Sequence, residues 1–168
     1  MVAVTTESIR ALRLETDAPV MECKRALEEA EGNSDKAKAL LREWGASALA
    51  KKSDRQASEG VIEVYLHHNA RVGVLVELNC ETDFVARSDE FRAFASLLAK
   101  QIAGMNPTRI GNEADAPEND PDDRPLLKMD SIVPEFQGRT IEDIFNELVL
   151  KLRENIVIRR FVRYELGA

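Results

Sequence analysis

Two runs of alternating residues constrain this chain more than anything else in it. Ile62, Val64 and Leu66 alternate with Glu63, Tyr65 and His67; after the polar stretch HHNAR, Val72, Val74, Val76 and Leu78 recur at every second position. A period of two sends successive side chains to opposite faces of an extended chain, so each run predicts a strand and the short link predicts an antiparallel hairpin. A hairpin alone is barely stable in water and needs a further strand or a helix against it. Both are encoded downstream. Phe91 to Met105 carries Phe94, Leu97, Leu98 and Ile102 at helical spacing, and Thr140 to Leu152 carries Ile141, Ile144, Phe145, Leu148 and Leu152 in the same way. The ending IVIRRFVRYELGA is rich in β-branched and aromatic residues and predicts a third strand. Because the strands do not alternate regularly with helices, residues 61–168 are expected to form an α+β core, a three-stranded antiparallel sheet covered by helices.

The first fifty residues obey a different period. Thr5 or Thr6 can cap a first helix with Ile9 and Leu12 on one face, TDAP interrupts it, and Pro19 suits the first turn of a second helix. Val20, Cys23, Leu27 and Ala30 mark that helix, which Gly32 should end. Asn33 or Ser34 can cap a third helix bearing Ala37, Leu40, Leu41 and Trp44, with Gly45 expected to stop it. Residues 1–50 thus predict a three-helix bundle, too small for a wide margin of stability and better suited to docking than to catalysis. Residues 51–60 read as a helical or extended connector.

A chain of 168 residues with 44% hydrophobic residues can bury one sizeable core, or one core and a satellite. Its 23 Lys and Arg against 30 Asp and Glu leave a formal charge of -7, which argues against a general nucleic-acid binder; the basic RRFVR stretch is short. No apolar run reaches the length of a membrane span and the first ten residues lack the pattern of a signal peptide, so a cytoplasmic protein is expected. Cys23 and Cys80 lie far apart in apolar-periodic segments and read as buried, reduced thiols.

Three features invite a chemical reading. The acidic stretch at about 107–125, with Glu113, Asp115, Glu118, Asp120, Asp122 and Asp123, lacks the glycine and terminal glutamate of a calcium loop and reads as a solvated connector. His67 and His68 have no further ligand at metal-binding spacing, and a polar turn explains them. Phosphate-loop, dinucleotide-binding, nucleophile-elbow and zinc-protease motifs are absent, so no catalytic residue, cofactor or metal site is assigned. More informative is LNCETDFVARSDEF, where a strand gives way to a helix. Thr82 can cap that helix with Asp83 at its positive end. Phe84 either folds back into the core or stands out for another purpose.

The stretches TDAPVMECKRALEEAEGNSDKAKALLREWG, ALAKKSDRQASEG, VGVLVELNCETDFVARSDEF and ENIVIRRFVRYELGA, in this order, resemble the bacterial elongation factor Ts family. The resemblance implies that residues 1–50 are similar to ubiquitin-associated domains. It also implies a guanine nucleotide exchange factor, not an enzyme, that binds elongation factor Tu carrying GDP, disturbs its magnesium and phosphate site, and promotes replacement of GDP by GTP. Carried over residue by residue, Thr82, Asp83, Phe84 and Val85 would enter the partner near its nucleotide, and Leu12, Val20 and Met21 would dock the head. Three departures qualify it: Val20 and Met21 stand where many members have two methionines, Arg153 replaces a common glycine, and a second core subdomain and a coiled-coil insertion are missing. With one core half, a homodimer working on two partners is the hypothesis that follows. The competing readings are a ubiquitin-type adaptor using the head alone, and a thiol enzyme, which would need an exposed, reactive Cys80.

Overall fold

In a computed structural model, residues 4–16, 18–111 and 120–168 are described, the side chain of Leu49 excepted. Asp17 of the TDAP interruption and residues 112–119, with Glu113, Asp115 and Glu118 of the acidic stretch, lie outside them. The elements run α1 (Thr6–Thr16), α2 (Val20–Glu29), α3 (Ser34–Ala50), β1 (Glu59–Leu66), β2 (Val72–Cys80), α4 (Asp83–Ala86), α5 (Asp89–Met105), α6 (Ile141–Leu152) and β3 (Val157–Glu165), with two 3-10 turns, Leu126–Lys128 and Pro134–Phe136. Mixed helices and a three-stranded antiparallel sheet make the fold α+β, as expected. The chain divides into a head unit, Met1–Asp54 with Asn146–Asn155, and a core unit, Arg55–Phe145 with Ile156–Ala168.

Each helix of the head is bounded by local chemistry. Thr5 and Ser8 cap α1 reciprocally: the Ser8 N–H donates to Thr5 Oγ1 at 3.1 Å and the Thr5 N–H to Ser8 Oγ at 3.0 Å. α2 ends where Gly32 N–H reaches back to the Leu27 carbonyl (2.8 Å) and Glu31 N–H to that of Glu28 (3.2 Å). That arrangement puts Glu31 at φ 53° and Gly32 at φ 83°, so Gly32 is where the helix signal expected a terminator. Asn33 caps α3, its Oδ1 accepting from Lys36 N–H at 3.0 Å. Leu12, Cys23, Leu27 and Leu41 form the buried centre with Leu150, and Ile9, Leu40 and Trp44 pack against it.

Gly45 does not stop α3, which runs five residues further. Its lack of a side chain serves packing instead: a Cβ there would overlap the carbonyl of Asn146. Helix termination and close approach call for the same residue, and only the fold separates them.

In the core unit the strand order is β1-β2-β3, with Val64 opposite Leu75 and Leu75 opposite Val162. Val74, Val76, Leu78 and Cys80 are buried on one face of the sheet. α5 packs on β1 and β2 and buries Phe91, Phe94, Leu98 and Ile102. Gln101 is fully buried yet satisfied, donating to the Asp130 carbonyl and accepting from the Ile132 N–H, both at 2.9 Å, which ties the 130–132 loop to α5. The other sheet face presents Ile62, Val64, Leu66, Leu75, Val162 and Tyr164, all exposed. Alternation alone locates the strands without telling which face is covered, and here the aliphatic side of β1 is the uncovered one.

The flanks of the acidic stretch are ordered rather than merely solvated. Arg109 grips Asp123 through Nε–Oδ1 (2.8 Å) and a terminal nitrogen to Oδ2 (2.7 Å), and Thr108 N–H donates to the Arg124 carbonyl at 3.0 Å. The guanidinium holds the Asp123 carboxyl below its ordinary value. Among the described residues no cluster of three or more metal-ligating side chains occurs.

Candidate functional site

The site begins where β2 ends. Cys80 turns its thiol inward and donates to the Thr82 carbonyl at 3.2 Å, while Thr82 leaves the strand in an extended conformation (φ −127°, ψ 151°). Its hydroxyl accepts from Val85 N–H at 3.3 Å and so caps the single turn of α4. Ser88 then caps α5 by accepting from Phe91 N–H at 3.4 Å, and its own hydroxyl donates to the Val85 carbonyl at 2.8 Å. Two caps within seven residues hold this turn between a central strand and the main core helix.

Successive residues of a helix point about 100° apart, so one turn cannot bury all its side chains. Val85 and Ala86 are the buried pair. That leaves Asp83 and Phe84 outside, and Phe84 is 81% exposed. The alternative in which Phe84 folds back into the core is therefore excluded, and Val85 takes that structural role. Asp83 and Arg87, four residues apart, form an ion pair at 2.9 Å on the exposed side. Two residues before Asp83, Glu81 pairs with Arg55 of the connector at 3.5 Å.

The head presents a second apolar surface, not quite the one expected. Val20 and Met21 are exposed at the start of α2. Leu12 is not: at 1% exposure it lies in the head core and cannot itself touch a partner. The reason is helical spacing, since α1 buries Leu12 and Thr16, four apart, and Leu14, midway between them, falls on the opposite side at 88% exposure. Leu14 is an exposed apolar residue that the sequence reading did not single out, and its signal is an apolar side chain off the helix's own apolar period.

Cys23 and Cys80 are both buried and form no disulfide, and burial pushes the Cys23 thiol up from its ordinary value despite the nearby Thr16 hydroxyl. His67 is engaged by Tyr65, whose hydroxyl lies 3.0 Å from Nδ1, and its ring centre lies 4.2 Å from that of His68 with the planes tilted by 57°. Among the described residues no helix is long and apolar enough to cross a membrane.

Comparison with known proteins gives the family. Residues 81–168 match the family described as Elongation factor TS. The chain is 41% identical to the Elongation factor Ts of Carboxydothermus hydrogenoformans, over 98% of this chain and 89% of that protein. It is likewise 41% identical to that of Thermoanaerobacter sp. strain X514 (98% and 95%) and 38% identical to that of Thermotoga maritima (98% and 96%). Similarity of this extent includes the head as well as the core, which disfavours a free-standing adaptor. The chain belongs to the elongation factor Ts family, the guanine nucleotide exchange factors of translation elongation.

Proposed function

We propose that the chain docks on elongation factor Tu in the cytoplasm through both its head unit and its core unit. The turn Thr82–Val85 then disturbs the partner's magnesium and phosphate region, so that GDP leaves and GTP can enter. The observation that carries this reading is Phe84, an aromatic side chain 81% exposed on a turn otherwise anchored by two buried residues and two caps. A lone exposed apolar side chain is ordinary on a protein surface, but one held this firmly on a doubly capped turn, in a family of exchange factors, is suited to a pocket on another molecule. No covalent bond changes on the chain, so no catalytic residue is required.

Magnitudes divide the labour. A nucleotide bound at nanomolar affinity is held by about 12 kcal/mol, whereas burying one phenylalanine returns only about 1.5–3 kcal/mol. The wedge cannot expel the nucleotide unaided; docking over the rest of the surface must supply the difference. In this division Thr82 shapes the turn, Val85 anchors it, and Asp83 and Phe84 enter the partner. Val20 and Met21, joined by Leu14, contact the partner, while Leu12 supports them from within the head. By linkage, whatever the chain does to nucleotide affinity, nucleotide does to the chain's own affinity, and this returns the chain to solution.

In a titration of fluorescent GDP release, Phe84→Ala is expected to lower the maximal rate with little change in the half-saturating concentration. Val20→Asp is expected to do the reverse. Equal losses in both quantities for both variants would contradict the division.

A second copy of the chain is the proposed occupant of the uncovered sheet face. Ile62, Val64, Leu66, Leu75, Val162 and Tyr164 stand on this face across all three strands, with the Glu77–Arg160 ion pair (2.7 Å) opposite Ile62 and a shallow depression of about 270 Å³ that both the apolar residues and this pair line. Two such faces are self-complementary in polarity, as a two-fold interface requires.

A further inference from the structure

We propose that Arg87 is a positioning residue of the exchange reaction, holding the Asp83 carboxylate beside Phe84 and carrying a compensating positive charge into the partner's phosphate region. The inference rests on the exchange reading above and goes further by giving a role to a residue outside the Thr82–Val85 segment.

The geometry is set by α4. Residues four apart share one side of a helical turn, and the guanidinium of Arg87 lies 2.9 Å from Asp83 Oδ2, with the backbone N–H of Arg87 donating to the Asp83 carbonyl at 3.2 Å. Both ends of the pair therefore belong to one capped, anchored turn. The two side chains are 61% and 74% exposed, so in free solution water screens the pair and it serves orientation more than stability.

Docking changes that balance. As water leaves the contact, an unpaired carboxylate would lose its hydration, be drawn to magnesium and be repelled by the phosphates beside it. A carboxylate that arrives with its guanidinium is neutral as a unit. The planar fork of arginine keeps the Asp83 carboxylate in a fixed orientation, which the point charge of a lysine ammonium does less well. Phe84 thus enters flanked by a fixed dipole rather than by a lone negative charge.

The test is a double-mutant cycle on the full-length chain with Arg87→Gln, Asp83→Asn and both together, read as the maximal rate of fluorescent GDP release and the half-saturating concentration. Arg87→Gln is expected to lower the maximal rate about fivefold with the half-saturating concentration changed less than about twofold; in the Asp83→Asn background the same substitution should cost less than about twofold. Arg87→Lys should recover part of the rate, and thermal midpoints should match the unsubstituted chain, which separates positioning from folding. Full activity of Arg87→Gln, or the same fractional loss with and without Asp83, would overturn the proposal. If Phe84→Ala is impaired while Arg87→Gln is not, this inference alone falls; if the unsubstituted chain releases no GDP, the exchange reading falls with it.

Discussion

Phe84 and Leu12 show what a side chain's neighbours decide. Both were singled out as contact residues, yet one stands in water and the other fills the head core. The residues alone leave Phe84 free to fold inward or stand out, and only the family resemblance points it outward; the structure decides, because a turn that buries Val85 and Ala86 has no room to bury it too. Leu12 was not legible as a buried residue, because an apolar residue on a helix reads the same from either side until its period is compared with that of Leu14. The two leucines should behave oppositely on truncation. Leu12→Ala is expected to destabilise the head by about 2–5 kcal/mol, the ordinary cost of a cavity in a packed core. Leu14→Ala should leave stability within about 0.5 kcal/mol and weaken binding to the partner instead. Denaturant titration of both variants checks this; similar destabilisation by the two would place Leu14 in the fold rather than on a docking surface.

At the scale of elements, the hairpin, the long core helices and the closing strand were all readable, since each carries its period over two or more turns or pleats. What the period could not convey were contacts across the chain. Gly45 reads as a terminator, yet α3 continues through it and the backbone of Asn146, a hundred residues on, occupies the space beside it. In an isolated helix, Gly→Ala would stabilise by about 0.5–1 kcal/mol. Here the added methyl overlaps a carbonyl with backbone on both sides, and overpacking of that kind costs about 1–3 kcal/mol. The overlap should win, and Gly45→Ala should lower the thermal midpoint; a higher midpoint would contradict the packing role. The face of the sheet left uncovered was equally unreadable, because a strand with Val61 and Tyr65 on one side and Ile62 and Val64 on the other could bury either.

For the whole molecule, the fold exposes apolar side chains by two different means: Leu14, Val20 and Met21 on helices of the head, and Phe84 on a capped turn between a central strand and a core helix. Oligomeric state is the property that belongs only to this scale. If the uncovered sheet face holds a second copy, the mass measured by sedimentation should be that of a dimer, and Leu75→Asp, which puts a charge at the middle of that face, should return it to a monomer. A monomer at all concentrations in the unsubstituted chain would reject the pairing. The central claim is tested most directly by stopped-flow release of fluorescent GDP from bacterial elongation factor Tu, with and without the chain. The account predicts strong, saturable acceleration that falls when Phe84 is replaced by alanine. Release at the spontaneous rate in the presence of saturating chain would contradict it.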